Sequence, residues 1–169
     1  MLRAIAQPIW LGRSPTPAAL ERGFEQGGWK MANARIRYRS GYKYQLVEGY
    51  SVKVSIIPTD PIKIEFITLG MDGTLVIKRG YAWDGASGPA IDTRNIVRGS
   101  LVHDALYQLM RDAGLSKEQW RDEADLELKR ICLEDGMSRP RAWWVHRGVR
   151  LGGDPSASPE SRKPIRTAP

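Results

Sequence analysis

At 169 residues, 41% of them hydrophobic, the chain is long enough for one domain with its own core. Its single cysteine, Cys132, excludes an internal disulfide, and no run of about 18 apolar residues marks a membrane-spanning helix. The net charge of +7 comes without zinc-finger spacing, basic-zipper heptads or an RNP-type aromatic pattern, so no nucleic-acid motif accompanies it.

The positive excess is uneven. Residues 1–80 carry twelve basic and six acidic side chains, residues 81–138 seven and eleven, and residues 139–169 seven and two. An acidic middle therefore lies between basic flanks. Such flanks can meet lipid headgroups or other phosphate-rich partners, although a modest excess is more often a solvated surface. The opening MLRAIAQPIWLGRSPTP has no continuous apolar core of signal-peptide length, because Gln7, Pro8 and Arg13 interrupt it. A soluble protein made without a secretion signal is the expectation.

Residues 1–30, rich in Pro, Gly, Ala and Arg and without a sustained period, read as an extension, disordered or docked on a partner. From residue 35 the pattern turns to strands. RIRYRS, YKYQLVE, YSVKVSII, IKIEFITL and TLVIKRGY alternate apolar and polar residues and are rich in Ile, Val, Tyr and Thr. Asp72-Gly73 suits a tight hairpin turn. A small antiparallel sheet of four or five strands follows.

The second half is helical. Asp92 or Thr93 caps a helix running to about Ala113, with Gly114 as its stop. Ser116 and Gln119 read as a capping box opening a second helix that Gly136 ends. Ser138 and Pro140 open a third, stopped by Gly152-Gly153. Residues 154–169, with four prolines, read as a disordered tail. The expected fold is α+β: a single domain over residues 31–153, an N-terminal antiparallel sheet followed by three helices, two of them antiparallel.

Chemistry concentrates in residues 81–107, YAWDGASGPAIDTRNIVRGSLVHDALY. His103 and Tyr107 are i and i+4, on one face of the first helix, and Asp104 points toward the preceding loop. The second helix has an apolar stripe of Ala124, Leu128, Ile131 and Cys132, and Asp125 lies inside it. A carboxylate there is costly without a partner, and His103 is the obvious one. An Asp–His pair sets the imidazole tautomer and supports a general base; the Tyr107 hydroxyl could hold the same Asp. A buried structural hydrogen bond is the alternative. Gly85, Ser87 and Gly88 let the loop aim carbonyls at one point beside Asp104, a set of oxygens suited to calcium if Asp84 or Asp92 joins, or no more than a strand-to-helix turn. Zinc is not expected, since Cys132, His103 and His146 lack ligand spacing. His146, among Trp143, Trp144 and Arg147, reads as surface or packing.

HDALY, after a glycine-bearing loop and before a helix with AD..L, resembles the calcium-dependent secretory phospholipases that cleave the sn-2 ester. That resemblance implies His103 as general base, Asp104 as a calcium ligand, and Tyr107 and Asp125 as the pair that orients the imidazole. It also implies calcium ligation by the carbonyls of Trp83, Gly85 and Ser87. The family's disulfides are absent, and Ala86 and Ser87 stand where more glycine is usual. Parvovirus capsid proteins, with a cysteine-poor P..D…HD..Y pattern, offer a version of the motif without those disulfides. A second resemblance covers residues 31–153. Strands ending in WDGASGP, then HDALYQL, an AD..L helix and a Trp-rich helix with VR.GG are similar to an uncharacterised family of small phage and prophage proteins. It implies a bacteriophage gene, with the virion or the bacterial cytoplasm as location.

Two functions follow as expectations. One is a phospholipase-like hydrolase acting on envelope lipid, with phospholipid or a membrane surface as its partner. The other is a non-enzymatic virion or assembly component that docks on other virion proteins through its terminal extensions. A peptidase or amidase would need a catalytic cysteine or a zinc set, and Cys132 lies in an apolar stripe.

Overall fold

The computed structural model describes residues 38–39, 44–85 and 93–161; the expected extension over residues 1–30 lies outside them. Among the described residues seven short strands come first: β1 (Tyr38–Arg39), β2 (Tyr44–Leu46), β3 (Tyr50–Lys53), β4 (Ile62–Lys63), β5 (Ile67–Leu69), β6 (Thr74–Ile77) and β7 (Ala82–Trp83). Helices α1 (Arg94–Ala113), α2 (Lys117–Glu134), α3 (Arg139–Gly152) and the single turn α4 (Asp154–Ala157) follow, then a 3-10 turn at Pro159–Ser161. The α+β class and the sheet-then-helix order are as expected.

The strands form two antiparallel sheets rather than one, ordered β1-β2-β7 and β3-β6-β5-β4. The segment IKIEFITL, read as one strand, folds back on itself. Ile64 N–H donates to the Ile67 carbonyl at 2.9 Å, so β4 and β5 pair with Ile62 opposite Leu69. Alternation alone cannot distinguish one long strand from two short ones joined by a turn. The β5–β6 hairpin closes at Asp72-Gly73. Gly73 takes a φ of 75°, and Asp72 Oδ1 accepts the Thr74 N–H at 3.0 Å. A Cβ at Gly73 would meet the Val54 carbonyl oxygen at 2.5 Å, so glycine is required twice over.

Period-2 burial places Ile67, Leu69, Leu75 and Ile77 inward, in one core with Leu101, Val102, Leu106 and Leu109 of α1. A second cluster joins Ile96, Leu128, Cys132, Met137, Ala142 and Val145 between the helices. Helix limits follow the capping residues. Thr93 occupies the N-cap position of α1 but makes no side-chain capping bond, its hydroxyl donating to Asn95 Oδ1 instead, and Asp92 lies outside the described residues. Gly114 ends α1 with a φ of 77°, and Ser116 Oγ accepts the Gln119 N–H at 3.2 Å to open α2. Gly99 lets α1 and α2 approach closely: a Cβ there would stand 3.0 Å from both Cys132 Sγ and Leu128 Cδ1.

Residues 154–161, read from their prolines as part of a disordered tail, are instead folded against α1. Ala157 is completely buried, Arg111 donates to the Ser156 carbonyl at 2.8 Å, and Lys117 donates to Ser158 Oγ at 2.7 Å. One buried alanine and two lysine or arginine anchors hold a segment whose composition alone suggests none. Among the described residues, no helix is long and apolar enough to cross a membrane.

Candidate functional site

Helices α1 and α2 run antiparallel across the three-residue connection 114–116, and their facing side chains pair in reverse order. Arg98 meets Asp135 at one end, His103 meets Asp125 in the middle, and Tyr107 meets Arg121 near the connection. This register brings together the three residues that the sequence singles out as a possible catalytic set. His103 Nε2 lies 2.8 Å from Asp125 Oδ1, and the Tyr107 hydroxyl donates to the same oxygen at 2.7 Å. The His103 and Tyr107 rings lie against each other tilted by 38°, with centroids 4.0 Å apart.

Asp125 is 0% exposed, so its charge is sustained by neighbours rather than water. Oδ1 accepts from His103 and Tyr107. Oδ2 has no hydrogen-bond partner; Arg150 Nη1 from α3 stands 3.9 Å away and also pairs with Asp122. Arg121 completes this layer, donating from Nη2 to the Arg150 carbonyl at 2.8 Å and from Nε to the Tyr107 hydroxyl at 3.4 Å. Neither arginine was foreseen from sequence. Arg121 lies four residues before Asp125, a spacing that puts both on one helix face, but nothing local points to Arg150 of α3.

The protonation states follow from these neighbours. Burial acts to lower the His103 pKa, but the Asp104 and Asp125 carboxylates outweigh it and hold the imidazole above its ordinary value. Burial pushes the Tyr107 phenol up, Arg121 opposes this and Asp125 adds to it, so the hydroxyl keeps its proton and donates. With Asp125 accepting at Nε2, the neutral imidazole carries its proton there and its lone pair at Nδ1.

Nδ1 faces the second group of expected residues. Asp104 Oδ1 lies 3.7 Å from Nδ1, and the Asp104 side chain keeps 29% of its surface open. Burial raises the Asp104 pKa; His103 opposes that, and the Asp84 backbone N–H donates to the carboxylate. Asp104 is thus turned toward the segment after β7, as its position on the helix implied. Trp83 is anchored there, its indole N–H donating to Ser100 Oγ at 3.1 Å, and Gly85 follows with a φ of 78°. Ser87 lies outside the described residues. Among the described residues, no group of three or more His, Cys, Asp or Glu side chains is placed to hold a metal ion.

The remaining reactive side chains lie elsewhere. Cys132 is buried against Gly99, and burial, with Asp135 nearby, pushes its thiol up to about 12, which suits packing and not nucleophilic attack. His146 is half-buried on α3; burial and then Lys129 hold its pKa low. No family model, curated protein or solved structure matches this chain.

Proposed function

We propose that this protein is a phage-encoded, phospholipase-like ester hydrolase acting on cell-envelope lipid. The observation that carries the reading is the division of labour at His103. Nε2 is committed to Asp125 at 2.8 Å, which leaves Nδ1 as the nitrogen that exchanges a proton, on the side of the partly open Asp104.

In the proposed reaction, Nδ1 of His103 removes a proton from water as the water oxygen attacks the ester carbonyl carbon. Asp125 and Tyr107 hold the imidazole and stabilise the imidazolium that forms. The imidazolium then returns its proton to the leaving alkoxide as the carbon–oxygen bond breaks, releasing a fatty acid and a lysolipid. Calcium, where bound, would be held by Asp104 with the carbonyls of Trp83 and Gly85, and would polarise the ester carbonyl. The partly open Asp104 carboxylate beside the loop is consistent with that role; its raised pKa also means that a cation would stabilise its ionised form.

Burial of the set favours one competing reading, a virion or assembly component in which His103, Asp125 and Tyr107 only tie α1 to α2. The two separate in one assay: fatty-acid release from anionic and zwitterionic vesicles, with calcium or EDTA, for wild type and His103→Gln. Release by the wild type that disappears in His103→Gln supports the hydrolase. No release by either protein, both being folded, would transfer the function to the virion component.

A further inference from the structure

Helix α3 carries Arg139, Arg141, Arg147 and Arg150 and no carboxylate. Its inner face, Ala142, Val145 and Val149, packs against Ile96, Leu128, Cys132 and Met137. A surface helix ordinarily turns a polar face outward. Here Trp143 is half exposed, Trp144 is 69% exposed and Leu151 81%. By helical spacing these three and Arg147 share an arc of roughly 100°. Arg139 borders the arc on one side and Arg141 on the other; Arg150, beside Arg139, is already ion-paired with Asp122. The two indoles meet edge to face with centroids 5.8 Å apart, and the Arg147 guanidinium sits 5.6 Å from the Trp143 ring centre.

We propose that this face of α3 docks on the headgroup layer of an anionic phospholipid bilayer. An apolar centre with cationic edges is the distribution that lies in the plane of such an interface. Indoles favour the boundary between acyl chains and headgroups, and arginine forks match phosphate oxygens. A second copy of the chain is a poor occupant, because it would set Arg139, Arg141 and Arg147 against their own counterparts. Nucleic acid could stack on the indoles, yet it offers nothing to Leu151, the most exposed apolar residue of the helix.

The position of the face also matters. Arg150 at its edge reaches toward Asp125, and Arg121 binds the carbonyls of Val149 and Arg150, so the docking helix lies one layer from His103. The face approaches the site from the Asp125 side of His103, not from the Nδ1 side, so docking does not depend on the hydrolase reading.

Co-sedimentation of the full chain with phosphatidylcholine vesicles, and with vesicles containing phosphatidylglycerol, tests the proposal at low and high salt. The wild type is expected to partition onto the anionic vesicles and to be released by salt. Trp144→Ser combined with Leu151→Ser should weaken partitioning more than about tenfold, and Arg147→Gln roughly fivefold, with far-UV circular dichroism unchanged. His103→Gln should bind as the wild type does, so loss of hydrolysis with binding retained counts against the enzyme alone. The docking proposal is overturned by any of three results: no partitioning onto either vesicle, partitioning untouched by these substitutions, or a double variant that converts a wild-type dimer to a monomer.

Discussion

His103 and Asp125 stand 22 positions apart in the chain and 2.8 Å apart in space, the imidazole Nε2 against a carboxylate oxygen that no water reaches. This pair makes the helix register and the candidate chemistry inseparable. Sliding α2 by one residue would leave a buried charge without its donors.

Substitution of either partner separates chemistry from packing. In the hydrolase reading His103→Gln lowers kcat by about 10²–10⁴-fold, the usual contribution of a general base, with little change in KM. Asp125→Asn keeps the volume but removes the charge that Tyr107 and His103 share. It should cost about 1–3 kcal/mol in denaturant unfolding as well as activity.

The raised pKa of His103 predicts a pH dependence of stability. The folded protein holds this proton more tightly than the unfolded chain does. The stabilisation is therefore fully present below the unfolded value of about 6.5 and is lost as pH rises through the higher folded value. Urea unfolding of wild type should show a decline in that window, and His103→Gln should flatten it. The same shift places the acid limb of kcat/KM above about 6.5, because the base must be neutral to act.

Gly153 offers a perturbation outside the catalytic set. A Cβ there would lie 2.6 Å from the Val149 carbonyl oxygen and 2.7 Å from the Tyr107 hydroxyl. Gly153→Ala should destabilise by about 1–3 kcal/mol through overpacking and push Tyr107 off Asp125. Activity that survives while stability falls would show that Tyr107 is dispensable for orienting His103.

Arg98 holds the far end of the α1–α2 seam. Its guanidinium is buried, bonds Asp135 and Glu134 of the α2 terminus at 2.8 and 3.0 Å, and donates to the Tyr50 hydroxyl at 3.1 Å. Arg98→Ala should cost about 3 kcal/mol, since Asp135 and Glu134 retain some access to water and are not wholly stranded. Thermal unfolding measures it. A loss well under 1 kcal/mol would mean that apolar packing alone sets the helix register.

Asp104 provides the test for a cation. In the hydrolase reading with calcium bound, EDTA and Asp104→Asn should each reduce fatty-acid release, and calcium should raise the melting temperature of wild type but not of Asp104→Asn. Equal stabilisation of both proteins would locate any calcium site elsewhere.

Local physical chemistry made much of this protein legible in its sequence. Gly114 and Ser116 mark helix ends because caps and left-handed turns depend on single residues, and Asp72-Gly73 marks a hairpin for the same reason. Asp125 pointed to His103 because a carboxylate on an apolar stripe needs a donor, and a short connection brings the facing helix to it. What required the tertiary structure were relationships with no local signature. The strand alternation is identical for one sheet or two, so the division into β1-β2-β7 and β3-β6-β5-β4 rests on which edges meet. Arg121 meets Tyr107 only through the α1–α2 register, and Arg150 joins the site only because α3 returns alongside α2. Residues 154–161 are ordered by one buried alanine and two long-range donors, contacts that composition cannot report. Sequence determines what each residue needs; the fold decides which distant group meets that need.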